Sequence, residues 1–321
     1  MKKVILAISI FIAFVGSFIV IKHIKKPATK ACAYTIGILQ TASHPALDAC
    51  REGFVEELKN RLGSDIEFVI QNAQGSISQA HTIAQRFHAN KKYNGFFAIA
   101  TPAAQAMSST ENARPIFIAA VTDPNALGLT HPTTNVCGTK DMIDVKAKIE
   151  MLTQLVPNAK TVGLLYTSGE TNSIALIKQM HSELEKQGLK YIDFAISNEA
   201  DMQAVVESAC RKTDVMLAPT DNTVASTISL IVSITSKNKK PLIVSDNMLV
   251  KYGALAARGV DYKTSGKQAA QIAHEVLVEG KKPYELPIQQ AKTEQIFINK
   301  ATLDMLGLTI PKDLENCVVL V

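Results

Sequence analysis

The feature that most constrains the fold of this chain is an internal repeat. The segment Thr35–Thr41 recurs as Thr161–Thr167, at an offset of 126 residues. Two more pairs of apolar segments keep this offset without a gap: Ile66–Asn72 with Ile192–Asn198, and Pro115–Ile118 with Pro241–Val244. Short runs rich in Val, Ile and Leu are typical of buried parallel strands. A register shared over so long a stretch predicts two lobes of the same architecture.

Helical patterns lie between these strands. In Asp48–Arg61 and in Ser76–His88 the apolar residues recur at helical spacing. A third strand is predicted at Gly95–Ala100, followed by a helix from Pro102, and its partner in the second lobe is Val215–Ala218. Alternating strands and helices favour right-handed crossovers. We therefore predict an α/β fold with two similar doubly wound parallel-sheet lobes, each with helices on both faces of its sheet.

The net charge of +5 does not indicate a nucleic-acid partner. Residues 1–33 contain six of the 34 basic side chains and none of the 29 acidic ones, which leaves 28 basic against 29 acidic residues in the rest of the chain. A phosphate-binding surface needs a local excess of Lys and Arg, and the body of the protein has none.

The basic N-terminal end surrounds an apolar run. Val4–Ile21 contains no charged residue and is longer than the apolar part of most signal peptides, which has about 7–15 residues. It is close to the shortest length that spans a membrane. We expect residues 1–33 to form an N-terminal apolar helix that acts as a membrane anchor or signal segment, and an uncleaved anchor is favoured. Cleavage and lipidation at Cys32 stay open.

Catalytic and metal-binding signatures are missing from the sequence. It has no GxSxG, HExxH, GxxxxGK[ST] or GxGxxG motif. His81 and His88 lie seven residues apart but supply only two metal ligands. The five Cys residues show no CxxC spacing, which favours buried small hydrophobic side chains over a disulfide. We therefore predict no catalytic residue, no metal and no cofactor.

Function is expected where the strands end. In parallel α/β sheets the ligand lies outside the carboxyl ends of the strands. In both repeats the residues at these ends are hydroxyls, amides and a few carboxylates. Open helix N-termini suit a ligand carboxylate, and Asp123, Asp221 or Asp246 would hold an ammonium group. The same residue types are ordinary helix N-caps, so a purely structural role stays open for each.

Five motifs of the first repeat and its surroundings resemble one protein family. They are Thr35–Gln40, His44–Asp48, Gln71–Gly75, Ala98–Ala106 and Ala120–Pro124. They resemble the substrate-binding proteins of ABC importers of the tryptophan/tyrosine-binding type, and the similarity extends from about Thr35 to Pro311. The resemblance implies a type I periplasmic-binding-protein fold, in which a three-crossover hinge joins two lobes that close over a small ligand.

The same resemblance implies ligand-binding positions at the strand ends of both lobes. They are Ser43, His44, Thr101, Thr122 and Asp123 in the first lobe, and Tyr166, Asn172, Asp221 and Asp246 in the second. The implied function is capture of an aromatic or apolar amino acid outside the cytoplasm for an ABC permease subunit, by a monomer tethered through its N-terminal segment. A ligand-sensing module that signals to a membrane partner is the alternative, and an enzyme is less favoured.

The division of the chain into lobes follows from where it crosses between them. Crossings are expected near Cys137–Lys140, Arg258–Asp261 and Gln289–Lys292. Residues 34–138 with 261–290 would form the first lobe, and residues 139–260 with 291–321 the second. The identities of the ligand and of the permease cannot be read from the sequence.

Overall fold

The computed structural model describes residues 32–291, 294–315 and 318–321. The apolar helix predicted before Cys32 lies outside these residues, as does Cys317. Within the described ranges no helix is both long enough and apolar enough to cross a membrane.

The described strands form two sheets. In chain order they are β1 (Tyr34–Gln40), β2 (Ile66–Asn72), β3 (Gly95–Ile99), β4 (Ile116–Val121), β5 (Val136–Lys140), β6 (Thr161–Thr167), β7 (Lys190–Ile196), β8 (Val215–Leu217), β9 (Leu242–Val244), β10 (Ala256–Val260), β11 (Gln289–Gln290), β12 (Glu294–Ile298) and β13 (Val318–Leu320). The strand order is β11-β5-β4-β3-β1-β2 in the first sheet and β13-β12-β10-β9-β8-β6-β7 in the second.

The two sheets share one topology. Strands β1 to β5 and β6 to β10 are each arranged in the order 2-1-3-4-5, and all pairs among them are parallel. The repeated strands β1 and β6 therefore occupy equivalent positions, and the prediction of two similar parallel α/β lobes is confirmed. Two strands differ, because β12 runs antiparallel to β10 and β13 runs parallel to β12. Only three residues separate β12 from β11 of the first sheet.

Helices cover both faces of each sheet. In chain order they are α1 (Pro45–Leu62), α2 (Ile77–Ala89), α3 (Thr101–Thr110), α4 (Val145–Leu155), α5 (Thr171–Lys186), α6 (Met202–Lys212), α7 (Asn222–Ser226), α8 (Ile228–Lys237), α9 (Tyr262–Leu277), α10 (Lys300–Met305) and α11 (Lys312–Glu315). Single 3₁₀ turns lie at Gly63–Asp65, Glu199–Asp201, Asn247–Tyr252 and Pro283–Glu285. One core of the first sheet involves α1 and α9 and the other involves α2 and α3. The second sheet is likewise packed on two faces.

The chain passes between the sheets directly after strands. It leaves the first sheet after Lys140, returns after Val260 and leaves again after Gln290. The segments expected to be crossings, Cys137–Lys140 and Arg258–Asp261, thus lie largely inside β5 and β10. Helix α9 brings the chain back onto α1.

Helices α1 and α9 pack with their backbones almost in contact. A Cβ atom at Gly266 of α9 would lie 2.0 Å from the Cys50 carbonyl oxygen, and one at Gly53 of α1 would lie 2.2 Å from the Lys263 carbonyl oxygen. Real Cβ atoms do not approach a carbonyl so closely. The two glycines therefore allow the returning helix to lie against the first lobe.

We predict that Gly266→Ala lowers the free energy of unfolding by about 1–3 kcal/mol, because the added methyl group overpacks this contact. Urea unfolding followed by circular dichroism measures the change. The control is Gly169→Ala, where an added Cβ meets no atom within 4 Å. Equal stability of the two variants would contradict the close-packing account.

Candidate functional site

A cavity of about 450 Å³ lies where the carboxyl ends of both sheets face each other. Its first-sheet wall consists of residues 41–43, 74–77 and 102, which follow β1, β2 and β3. Its second-sheet wall consists of residues 167, 169–170, 197–199, 222–223 and 226, which follow β6, β7 and β8 or form their last residue. This is the position at which parallel α/β sheets bind their ligands.

The loop after β1 is fixed by a polar network. Buried Gln40 donates through Nε2 to Asp48 Oδ1 at 2.8 Å and to the Ala42 carbonyl at 2.7 Å. Ser43 Oγ donates to the other Asp48 oxygen at 2.8 Å. His44 has an extended backbone and directly precedes Pro45, the first residue of α1. The network therefore holds His44 at the cavity edge.

His44 makes a contact between the two sheets. Its Nε2 lies 3.4 Å from Asn222 Oδ1, on the loop that follows β8. Burial lowers the pKa of His44, although the hydrogen bond with Asn222 and the nearby Glu170 and Asp48 oppose this shift. The ring is therefore held neutral at the meeting point of the lobes.

Glu170 fixes two loops of the second lobe to each other. Its carboxylate accepts from the backbone N–H groups of Asn222 at 2.9 Å and Thr223 at 3.0 Å, at the start of α7. It also accepts from the Asn172 side-chain amide at 3.1 Å. The carboxylate thus caps α7 while it lines the cavity.

Asp221 makes the reverse connection, from the loop after β8 to the end of β6 and the segment that follows it. Its two oxygens accept from the Thr167 backbone N–H at 2.7 Å, Thr167 Oγ1 at 2.8 Å, Ser173 Oγ at 2.7 Å and the Val224 N–H at 2.9 Å. Burial, with a contribution from Glu170, raises the pKa of Asp221 to about 7 despite these donors. Both oxygens are already used by the protein.

Asp141 and Asp246 form a different kind of carboxylate pair. They follow β5 of the first sheet and β9 of the second, and both are almost completely buried. Asp141 Oδ2 accepts from the Tyr262 hydroxyl at 2.8 Å, and Asp246 Oδ1 accepts from the Met248 N–H at 2.8 Å. Burial raises the pKa of Asp246 to about 7, and the charge of Asp141 adds to this rise. Burial also raises the pKa of Asp141.

Buried polar atoms without a partner concentrate at the same strand ends. Among the described residues, those with no hydrogen-bond partner are His44 Nδ1, Thr101 Oγ1, Thr122 Oγ1, Asp141 Oδ1, Asn172 Oδ1, Thr220 Oγ1, Asp246 Oδ2 and Asn247 Oδ1. The Thr122 hydroxyl lies near the Asp141 carboxyl, but the two groups are not aligned for a hydrogen bond. Every one of the eight residues follows a strand at its carboxyl end. Unpaired buried atoms cost folding free energy, and such a concentration indicates a binding site.

Five of the nine residues predicted as ligand-binding follow strands and carry one of the unpartnered buried atoms: His44, Thr101, Thr122, Asn172 and Asp246. Ser43 lines the cavity, although its hydroxyl is bound to Asp48.

The other three predicted residues have partners elsewhere. Asp221 joins loops of the second lobe, as described above. Asp123 accepts from the Ala126 N–H at 3.0 Å and closes a turn. Tyr166 packs against a hydrophobic cluster of the second lobe. Their expected contact with ligand stays a prediction.

Asp141 and Tyr262 were missed by the sequence reasoning. Residues 137–140 were taken as a crossing, so the aspartate after them was not counted as a strand-end residue. The run Val136–Lys140, read as a fifth strand, would have indicated Asp141. Nothing in the spacing indicates that Tyr262, at the start of α9, meets it.

In the part of the chain that the structure describes, no group of three His, Cys, Asp or Glu side chains lies close enough to hold a metal ion. Cys50, Cys137 and Cys210 are buried free thiols. Burial raises the pKa of each of them. They pack in the hydrophobic cores as small apolar side chains.

Comparisons with known proteins agree with this architecture. A family model described as "ABC transporter substrate binding protein" matches residues 35–318. A tyrosine-binding protein from Clostridioides difficile is 34% identical over 280 residues, which cover 85% of this chain and 81% of that protein.

Two solved structures show the same two-lobed arrangement in different states. An ABC domain in complex with L-Trp from Streptococcus pneumoniae is 32% identical, covers 89% of this chain and 99% of its own, and superimposes with a TM-score of 0.84. A ligand-free, open substrate-binding protein with adhesive properties from Clostridium difficile is 34% identical over 90% and 99% of the two chains, with a TM-score of 0.67. This protein therefore superimposes better on the ligand complex than on the ligand-free, open structure. The chain belongs to the family of ABC transporter substrate-binding proteins and has their type I periplasmic-binding-protein fold.

Proposed function

We propose that the protein is the extracytoplasmic solute-binding component of an ABC importer and captures an aromatic amino acid between its two lobes. It delivers this ligand, chemically unchanged, to a permease subunit in the membrane. It acts as a monomer tethered by residues 1–33. The tyrosine-binding relative and the structure with bound L-Trp support the ligand class. The observation that carries the proposal is the pair of unpartnered carboxylate oxygens at Asp141 and Asp246.

These two oxygens suit the α-ammonium group of an amino acid. A buried carboxylate is costly unless a cation or hydrogen-bond donors pair with it. Asp141 Oδ1 and Asp246 Oδ2 come from different sheets, so one ammonium between them joins the lobes. It also offsets the repulsion between the Asp141 and Asp246 carboxylates, which adds to the effect of burial on the pKa of Asp246.

The hydroxyl groups suit the ligand carboxylate. Thr101 is the first residue of α3, a helix of ten residues, and its Oγ1 has no partner within the described chain. In the first turn of α3, Pro102 has no N–H and the Ala103 N–H donates to Thr41 Oγ1. The Thr101 hydroxyl is therefore the donor that this end of the helix offers, and the helix dipole favours an anion there. Thr220 Oγ1 offers a second donor from the opposite lobe.

The cavity suits the ligand side chain. Its volume of about 450 Å³ falls within the range of small-molecule sites, about 300–1,000 Å³. Ala42, Ile77 and Pro102 supply apolar surface among hydroxyl and amide groups. An aromatic ring that carries one polar atom suits this mixture of apolar and polar surface.

Binding requires the lobes to move. The unpartnered atoms are shielded from water, so a ligand reaches them only after the lobes part. We take the first sheet with its helices and Asp141 as one moving unit and the second sheet with its helices as the other. This keeps the expected division of residues 34–138 with 261–290 against residues 139–260 with 291–321, except at the end of β5. The ligand stabilises the closed form through contacts that the open form lacks, so it shifts a hinge equilibrium.

Calorimetry of the purified protein with all twenty amino acids, several sugars and nucleosides tests the proposal. We expect an aromatic amino acid to bind most tightly. Binding to a sugar or nucleoside, with no response to any amino acid, would overturn the ligand class.

We predict that Asp246→Asn weakens amino-acid binding more than tenfold. The reason is that removal of one partner of a buried charged pair typically costs about 2–5 kcal/mol of binding free energy. Calorimetry at pH 8 measures the effect. The matched control is Asp193→Asn on the exposed edge strand β7, for which we expect unchanged affinity. An unchanged affinity of Asp246→Asn would remove Asp246 from the site.

A second prediction concerns pH. Burial raises the pKa of Asp246 to about 7, and an ammonium group binds the ionised carboxylate. Affinity should therefore be highest above pH 8 and decrease below pH 7, by up to about tenfold per pH unit for one proton taken up. Titrations from pH 5.5 to 8.5 test this. The decrease should be smaller in Asp246→Asn, and a pH-independent wild-type affinity would contradict the assignment.

A third prediction separates Asp246 from Asp221 by their effects on stability without ligand. The pKa of each is raised from 3.8 to about 7. The stability of the fold therefore decreases as the pH rises from 3.8 to about 7, and the whole loss is present above pH 7. Asp246→Asn should raise the melting temperature at pH 8 by a few degrees, since it removes an unpaired buried charge.

Asp221→Asn should instead destabilise the protein by about 1–3 kcal/mol, because donors that face its oxygens lose their acceptor. Scanning calorimetry of the two variants at pH 8 gives both values. Shifts of the same sign and size would show that the two aspartates play the same role.

A further inference from the structure

A chain of hydrogen bonds crosses the cleft and ends at one ring nitrogen. Asn222 Nδ2 donates to Glu170 Oε2 at 2.7 Å, and the Asn222 backbone N–H donates to the same oxygen at 2.9 Å. The other side-chain atom, Asn222 Oδ1, lies 3.4 Å from His44 Nε2. His44 belongs to the first lobe, whereas Asn222 and Glu170 belong to the second.

The chemistry of this chain determines where the imidazole carries its proton. A carboxylate only accepts hydrogen bonds, so the amide nitrogen of Asn222 must face Glu170 and its oxygen must face His44. That oxygen also only accepts, so His44 Nε2 carries the hydrogen. The buried ring is neutral, and Nδ1 is therefore a bare acceptor.

Nδ1 of His44 has no partner within the described residues and is shielded from water. His44 is only 7% exposed, and its sequence neighbour Ser43 lines the cavity together with Asn222 and Glu170. An acceptor without a partner here requires a donor on the ligand.

This acceptor is separate from the carboxylate pair. His44 follows β1 and Asp141 follows β5, and strands β3 and β4 lie between these two strands in the first sheet. Neighbouring strands are about 4.8 Å apart, so His44 and Asp141 lie at well-separated strand ends. A ligand whose ammonium lies between Asp141 and Asp246 therefore meets His44 with another part of the molecule. In tyrosine and tryptophan, the remaining hydrogen-bond donor is the O–H or N–H group of the side-chain ring.

We propose that His44 Nδ1 accepts a hydrogen bond from the ring O–H or N–H of the bound amino acid and so selects tyrosine and tryptophan over phenylalanine. This inference rests on the proposed function and adds a specificity-determining residue to it. Asn222 and Glu170 act as positioning residues, because they fix the tautomer of His44.

The selection arises from an unmade hydrogen bond. Phenylalanine has no ring donor, so it leaves Nδ1 buried without a partner in the closed form. A site built to bind a donor disfavours a ligand that lacks it. From the typical cost of an unsatisfied buried acceptor we expect a discrimination of roughly ten- to a hundredfold.

Calorimetry with L-tyrosine, L-tryptophan and L-phenylalanine on the full-length protein and on His44→Gln tests the proposal. The Gln side chain keeps an amide that donates to Asn222 Oδ1 but offers no acceptor at the Nδ1 position. We expect the wild type to prefer tyrosine or tryptophan over phenylalanine by at least about tenfold. In His44→Gln the preference should fall to about twofold or less, while the affinity for phenylalanine stays the same.

Two further variants complete the test. Asn222→Ala removes the group that fixes the tautomer, so the preference should weaken while phenylalanine binding is retained. His81→Gln, the same substitution at an exposed histidine of α2, should leave the preference unchanged. Phenylalanine binding thus serves as an internal control for folding and closure in every variant.

The failures of the two proposals are distinguishable. If the wild type binds no amino acid, the proposed function fails and this inference fails with it. If the wild type binds phenylalanine as tightly as tyrosine and tryptophan, only the inference is overturned. It is also overturned if His44→Gln keeps the preference, or if it loses phenylalanine binding to the same extent as tyrosine binding.

Discussion

Two buried carboxylates, Asp141 and Asp246, impose the main constraint on this protein. They come from different sheets, each keeps one oxygen without a partner among the described residues, and their charges repel each other. Such a pair destabilises an unliganded closed form and favours any state in which a cation lies between them. The proposed hinge allows a change between these states, because the chain passes from the first sheet to the second directly after β5, which Asp141 follows. In the proposed function, the repulsion between the two carboxylates and the movement of the lobes are two parts of one binding mechanism.

The strand-end position alone does not define a ligand residue. Asp221 and Asp246 both follow a strand of the second sheet, and burial raises the pKa of both to about 7. Asp221 accepts four hydrogen bonds from its own lobe, whereas Asp246 keeps Oδ2 unpaired. Glu170 resembles Asp221, since backbone N–H groups of α7 occupy it. Asp221 and Glu170 thus join loops of the second lobe to each other, and in the proposed function Asp141 and Asp246 are left for the ligand.

Much of the fold could be predicted from the sequence, because the repeat and the alternation of strands and helices indicate two lobes built from parallel βαβ units. The antiparallel β12 and the fifth strands β5 and β10 were not predicted, because they are short and lack a continuous apolar run. The resemblance and the strand-end positions pointed to His44, Thr101, Thr122, Asn172 and Asp246, whose contact with ligand stays a prediction. The hydrogen bond between Asp141 and Tyr262 could not be predicted, because it depends on how α9 returns to the first lobe. Spacing along the chain cannot reveal which polar atoms the tertiary fold leaves without partners.

The central claim is that an amino acid is held through its ammonium group between Asp141 and Asp246. A crystal structure of the protein grown with L-tyrosine or L-tryptophan tests this most directly. The account predicts closed lobes, with the ligand nitrogen within about 2.7–3.2 Å of Asp246 Oδ2 and Asp141 Oδ1. A ligand whose carboxylate points toward these residues, or one bound with its nitrogen away from both, would contradict it.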